Sequence, residues 1–167
     1  MNADIFSQEE IETRVSLEPD KLDKNYKEKL MEIVRKNFEN TCLKNKGYIR
    51  KVVGIKEIVN EEIMKMIPNV YFSVIALVQC YIPKIGDFLD IQVDFVFNHG
   101  IFGGFEKIKV LIPIQSCDDW TLQQDFSALY LVHKTDPQKN IKKGQILRVE
   151  IKNIRFEKDN FSCLAKI

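Results

Sequence analysis

The sequence predicts an α+β unit, one helix packed on an antiparallel sheet, followed by a small all-β barrel. Three observations predict it. Residues 24–39 carry apolar side chains at helical spacing. The strands read on either side of that helix are short runs of alternating or continuous apolar residues, bounded by glycine, proline and asparagine. Residues 81–116 then place three β-segments in quick succession around tight turns.

The opening residues 1–10 read as a flexible tail. Ile11, Thr13, Val15 and Leu17 alternate with polar residues and give a short strand that stops at Pro19. In the helix, Tyr26, Leu30, Ile33, Val34 and Phe38 form the apolar stripe, and Lys27, Glu28, Glu32, Arg35 and Lys36 lie elsewhere. Asp23 or Asn25 is placed to cap its start, Asn25 and Glu28 having the spacing of a capping box. Asn40 is placed to end it in the left-handed conformation. After Cys42-Leu43 and a Lys-Asn-Lys-Gly turn, strands are read over 48–55 and 58–66, the second ending before Pro68. Residues 70–82 are apolar on both parities (Val74, Ile75, Ala76, Leu77, Val78), which predicts cover on both faces. An apolar face left bare on the 48–82 strands would mark an interface. Residues 83–86 form the natural joint, so 11–82 is the first unit and 83–167 the second.

In the second unit Leu89, Ile91, Val93, Phe95 and Phe97 alternate with polar residues, which predicts all five on one face. Asn98-His99-Gly100 has hairpin-turn chemistry. Ile101-Phe102 is followed by Gly103-Gly104, read as a bulge or sharp bend, then by Phe105 and a strand over 107–114. Residues 115–125 are polar and hold Trp120. A strand over 128–133, a lysine-rich loop over 135–143, a long strand over 144–156 and a last strand over 161–167 complete the chain. Five or so strands after Gly86 is the count an OB barrel needs. Gly86-Asp87, strand, turn, Gly-x-Phe, strand is similar to the opening of an S1-like OB barrel.

Composition narrows the function classes. An apolar fraction of 45% supplies a core, and 29% charged residues is ordinary for a soluble protein. With a formal net charge of +1, any nucleic-acid binding must come from a local patch rather than from the bulk field. Cys42, Cys80, Cys117 and Cys163 are widely spaced, and His99 and His133 lie near none of them, so reduced buried thiols are expected and no metal site. The acidic N-terminus has no apolar segment of a signal peptide, and no run is long enough to span a membrane, so an intracellular location is expected. There is no phosphate loop, nucleophile elbow or histidine–carboxylate spacing, and the paired Asp118-Asp119 reads as solvated; no catalysis and no cofactor are expected.

Further motifs come in a definite order: Leu17-Glu18-Pro19 ending the first strand, Asn40-Thr41-Cys42 after the helix, Lys46-Gly47-Tyr48-Ile49 opening a strand, Tyr81-x-Pro83 closing the first unit, Gly86-Asp87, Gly100-Ile101-Phe102 and Ile112-Pro113 in the barrel opening, and a long penultimate strand with its turn over 144–160. Over residues 11–167 this layout resembles the larger stalk subunit of DNA-dependent RNA polymerase, of the type found in RNA polymerase II and in archaea. The sequence departs from that family over 60–69, where glycines are usual, and over 103–109, where a Gly-Pro is usual. Its lysine-, isoleucine- and asparagine-rich composition fits an AT-rich genome, such as that of a large DNA virus or a protist.

The resemblance implies a non-catalytic subunit. Its first domain docks on the polymerase core near the clamp through two tip loops, Leu43, Lys44, Asn45, Lys46 and Gly47 in one, and residues 60–69 with Glu61, Glu62, Ile63, Met64 and Lys65 in the other. It pairs with a smaller helical stalk subunit, and its barrel binds nascent RNA without sequence preference. The location implied is nuclear in a cell, or a cytoplasmic factory or virion for a virus. On the barrel, RNA is held by aromatic platforms and a basic track. Phe102, Phe105, Lys107 and Lys109 are the candidates at the strand–bend–strand, although both phenylalanines are also read as core. Lys139, Lys142 and Lys143 form a second basic cluster, otherwise a solvated loop. A free-standing S1-type RNA-binding protein and an adaptor without RNA affinity are the competing readings.

Overall fold

A computed structural model describes residues 5–167. The chain divides into two compact units, Ile5–Tyr81 and Ile82–Ile167. It is mostly β, with one α-helix and a closed five-stranded barrel.

The first unit is a four-stranded antiparallel sheet carrying the helix. Its strands are β1 (Ser7–Leu17), β2 (Thr41–Leu43), β3 (Gly47–Ile63) and β4 (Val70–Tyr81), in the order β1-β4-β3-β2. β1 starts at Ser7, earlier than the alternation predicts, because its polar residues 7–10 pair with Cys80 to Leu77 through the backbone ladder, which needs no apolar side chain. Phe6 stands edge-on to Tyr48 and Tyr81, so the expected tail is packed from there; residues 1–4 of that tail lie outside the described residues. Helix α1 (Tyr26–Phe38) buries Leu30 and Val34 against Ile11, Val15, Ile49, Val52, Phe72, Val74, Ala76 and Val78. Asn25 makes no side-chain cap; instead Asp23 accepts the Asn25 N–H at 2.8 Å and pairs with Lys29 at 2.8 Å. The Lys29 ammonium and that N–H hold the Asp23 carboxyl below its ordinary range. At the other end Asn40 is left-handed, with φ 59°. Tyr48 donates its hydroxyl proton to the Asn40 side chain at 2.9 Å, and Thr41 donates to the Phe38 carbonyl at 2.6 Å, which fixes the helix end to the β2–β3 hairpin.

The strands expected over 48–55 and 58–66 are one continuous strand. β3 pairs with β4 through four register shifts, each skipping one residue: Arg50, Val53, Lys56 and Val59. Each bulge leaves two β3 residues opposite one on β4 and adds local twist. The core-facing positions therefore recur every third residue, at Ile49, Val52, Ile55 and Ile58. β4 is also corrected. Phe72, Val74, Ala76 and Val78 are buried under the helix, but Tyr71, Ile75 and Leu77 are only half-buried. That second face carries charges from both neighbouring strands. Arg14 on β1 pairs with Glu62 on β3 at 2.8 Å and lies over the Tyr71 ring at 4.6 Å; Lys56 on β3 pairs with Glu10 on β1. Ion pairs thus flank the face that β4's apolar run had predicted to be fully covered.

In the second unit β5 (Phe88–Phe97), β6 (Gly100–Phe105), β7 (Ile108–Pro113), β11 (Ile146–Glu157) and β12 (Asn160–Lys166) close a barrel in the order β11-β12-β7-β6-β5. The β12–β7 pair is parallel and the rest are antiparallel. This barrel is consistent with an OB fold. Closure between β5 and β11 is fastened at both ends: Gly86 N–H to Ile151 carbonyl at 2.8 Å, and Gly144 N–H to Val93 carbonyl at 2.7 Å. Leu89, Ile91, Val93, Ile101, Ile108, Val110, Ile112, Val149, Ile151, Phe161 and Cys163 fill the interior. The strand expected over 128–133 is not a barrel strand. As β9 (Leu129–His133) it lies between β8 (Trp120–Gln124), within the stretch read as polar loop, and β10 (Asn140–Ile141), within the lysine-rich loop, in a separate three-stranded sheet.

Candidate nucleic-acid interface

The outer surface of the barrel is set by one bulge. Between Val93 and Phe95 the β5–β6 register shifts by one residue, and the inside–outside alternation shifts with it. Val96 turns inward and is buried, whereas Phe95 turns outward at 47% exposure. The five apolar residues of β5 therefore do not share a face: Leu89, Ile91 and Val93 point in, and Phe95 does not.

The glycine pair expected to bend the chain does not break β6, which runs unbroken from Gly100 to Phe105. A Cβ on Gly103 would lie 2.4 Å from the Gln92 carbonyl oxygen, and one on Gly104 would lie 2.6 Å from that of Ile108. Glycine is needed here for close strand approach.

Phe102 lies directly opposite Phe95 across the β5–β6 pair, and the rings stack with centroids 5.1 Å apart and planes at 25°. Phe97 adds a third ring 5.4 Å from Phe95, with His99 edge-on to Phe97 at 5.8 Å. Along the β6–β7 and β7–β12 registers, Phe102 is level with Leu111, and Leu111 with Leu164. The next level carries Gly104, Lys109 and Ser162, and Ser162 is opposite Arg155 on β11. An apolar row and a polar, basic row thus run side by side across four strands. They enclose a cup of about 430 Å³, with Phe97, Phe102, Leu111 and Leu164 on one side, Lys109, Arg155 and Ser162 on the other, and Asn153 closing the apolar row opposite Leu164. A second groove of about 460 Å³ is walled by Phe95, Phe126 and Lys143.

The structure therefore brings together Phe102 and Lys109 of the expected residues, and joins Lys143 to the rings through Phe95. It separates the others. Phe105 has the opposite parity to Phe102 on β6 and sits half-buried at the strand end, with Lys107 in the turn that follows. Lys142 lies over the Tyr130 ring at 5.0 Å, and Lys139 is exposed in its loop. Arg155, Ser162, Asn153 and Leu164 escaped the sequence reading, because only the parallel β7–β12 pairing brings them beside Lys109. The chemistry available is stacking on aromatic faces and hydrogen-bond donation to anionic or carbonyl oxygens.

The tip residues lie in the other unit. Lys44 to Lys46 form the β2–β3 turn between the paired Leu43 and Gly47, with Lys44 and Asn45 exposed and Gly47 buried at φ 86°. Lys46 approaches Glu9 at 4.0 Å. The expected loop 60–69 is shorter than predicted, since Glu61, Glu62 and Ile63 pair with Phe72, Tyr71 and Val70. Met64 and Lys65 begin the true turn, where Met66 is left-handed at φ 68°. Ile63 and Met66 are exposed by 79% and 102%.

All four cysteines are buried and carry their thiols reduced. Burial pushes the Cys163 thiol up to about 11; burial and the nearby Asp118 charge do the same for Cys117. Among the described residues no three His, Cys, Asp or Glu side chains gather as metal ligands, and no helix is long and apolar enough to cross a membrane. No protein-family model matches the chain, and no curated protein matches it in sequence.

Proposed function

We propose that this chain is a non-catalytic stalk subunit of a DNA-dependent RNA polymerase. On this reading the first unit is a tip domain that docks on the polymerase core and holds a smaller helical partner. The second unit is an S1-like OB domain that binds emerging RNA weakly and without sequence preference. The observation that carries the reading is the succession along the chain: a helix-covered sheet ending in an apolar tip, then a barrel whose outer face sets phenylalanines beside lysine and arginine. That is the order the sequence motifs imply. A free-standing RNA-binding protein would account for the barrel face but gives no role to Ile63, Met64, Met66 and Ile67, all exposed at one turn. Such a solvent-facing apolar cluster marks a protein contact.

The test is affinity purification of the tagged full chain from its native host or infected cell. Large polymerase subunits recovered in near-equal amounts support the proposal. RNA and ribosomal proteins alone overturn it in favour of the free-standing binder.

A further inference from the structure

We infer that the cup on the β7–β12–β11 side of the barrel seats a single unstacked base of the bound RNA. This rests on the proposed RNA-binding role and assigns it to one place. The cup has the volume of a small-ligand pocket, about 430 Å³, and is open to solvent along a half-buried ring, Phe102. Its apolar side is built by Phe102, Leu111 and Leu164, which offer a flat aromatic face and an aliphatic floor. Leu164 is 40% exposed, so the apolar surface is presented outward rather than spent on the core.

Charge complementarity names the occupant. Lys109 and Arg155 stand on the polar side, Lys109 exposed and Arg155 carrying an exposed guanidinium stem. Arg155 is approached through Nε by Glu157 at 3.6 Å, an exposed, salt-screened contact that leaves the terminal guanidinium nitrogens to a ligand. Asn153 accepts the Ile154 N–H through Oδ1 at 2.9 Å, which leaves its amide nitrogen to donate. The rim is therefore rich in donors. The matching ligand brings acceptors beside a flat apolar body: phosphate oxygens next to a base that carries carbonyls. An uncharged peptide segment would satisfy the apolar floor, but it brings no anionic oxygen to Lys109 and Arg155.

The experiment is fluorescence anisotropy of the full chain with a labelled hexauridylate, and with a strand of equal length and charge whose bases are all replaced by abasic sites. Base–aromatic stacking of the usual strength predicts at least about fivefold tighter binding of the uridylate. Ser162→Ile, on the outward face of β12, fills the cup with an aliphatic side chain that offers no stacking face, and is expected to erase that preference without shifting the thermal midpoint. Leu164→Glu does the same by charge, and serves if the isoleucine variant fails to fold. A base preference that survives both substitutions overturns the cup. Equal binding of both strands by the wild type also overturns it, while leaving phosphate-driven RNA binding standing. Binding of neither strand at low salt removes the RNA reading itself.

Discussion

Phe95 and Phe102 face each other across β5 and β6 and stack at 5.1 Å on the outside of the barrel, although strict alternation along β5 would bury Phe95. One inserted residue after Val93 moves a large ring from core to surface. The pair then forms the wall between two grooves, one holding Lys109 and Arg155 and the other Lys143.

That bulge predicts opposite responses from adjacent residues. Val96→Asp places a carboxylate in the barrel interior and is expected to cost more than about 4 kcal/mol or prevent folding. Phe95→Asp keeps its charge in solvent and is expected to cost only about 1 kcal/mol, chiefly the lost ring pair. Urea unfolding of the two variants is the check; equal losses would place both side chains inside.

Two glycines with positive φ predict a second contrast. Gly100 has φ 144°, and a Cβ there would lie 2.0 Å from the Ile112 carbonyl oxygen. Gly86 has φ 95°, and a Cβ there would have no atom within 4 Å. Gly100→Ala should therefore lose on the order of 3 kcal/mol or fail to fold, and Gly86→Ala about 1 kcal/mol. Thermal melts of both variants measure it.

The thiols predict an alkaline limit. Cys117 and Cys163 titrate at about 11 in the folded barrel unit, against 9.0 for an ordinary thiol. Folding thus favours the neutral form. Its contribution is complete below pH 9 and is lost as pH rises from 9 to 11, on the order of 2 kcal/mol per thiol. The wild type should lose stability over that window more steeply than a Cys117→Val/Cys163→Val double variant, whose lysines and tyrosines are unchanged. Chemical denaturation at stepped pH compares the slopes.

The tip predicts a separation of binding from stability. Ile63 and Met66 are almost fully exposed, so Ile63→Asp with Met66→Asp should leave unfolding free energy within about 0.5 kcal/mol. If the proposed stalk role holds, the same pair should reduce recovery of large polymerase subunits at least about tenfold, as removal of apolar anchors does at protein interfaces. Unchanged recovery would locate the docking surface elsewhere.

Much of the fold was legible where one physical rule acted alone. Tyr26, Leu30, Ile33, Val34 and Phe38 at helical spacing mark α1, and Leu89, Ile91 and Val93 mark the inner face of β5. The misses come from two rules acting together. In β3 the ladder continues while the alternation breaks every third residue, so one strand reads as two; the run Ile49, Val52, Ile55, Ile58 was the available signal. Trp120 to Gln124 pair as a strand with no buried residue, and their alternation is only Trp120 and Leu122 against Thr121 and Gln123, too short to stand out from a polar loop. Of the candidate interface, Phe102 and Lys109 were legible because they are close in sequence. Arg155 and Ser162 were not, since their place depends on β12 lying parallel to β7.

The three-residue rhythm of β3 has one further effect. β2 covers its outer side only from Gly47 to Ile49, and beyond that Val52 N–H is taken by the Glu39 carboxylate at 3.1 Å. The rest of this rim has no neighbouring strand among the described residues. A straight strand from another molecule would fall out of step with it at every bulge, and would meet Lys51, Lys56 and Glu57 on the way. The rim therefore makes a poor template for fibril growth.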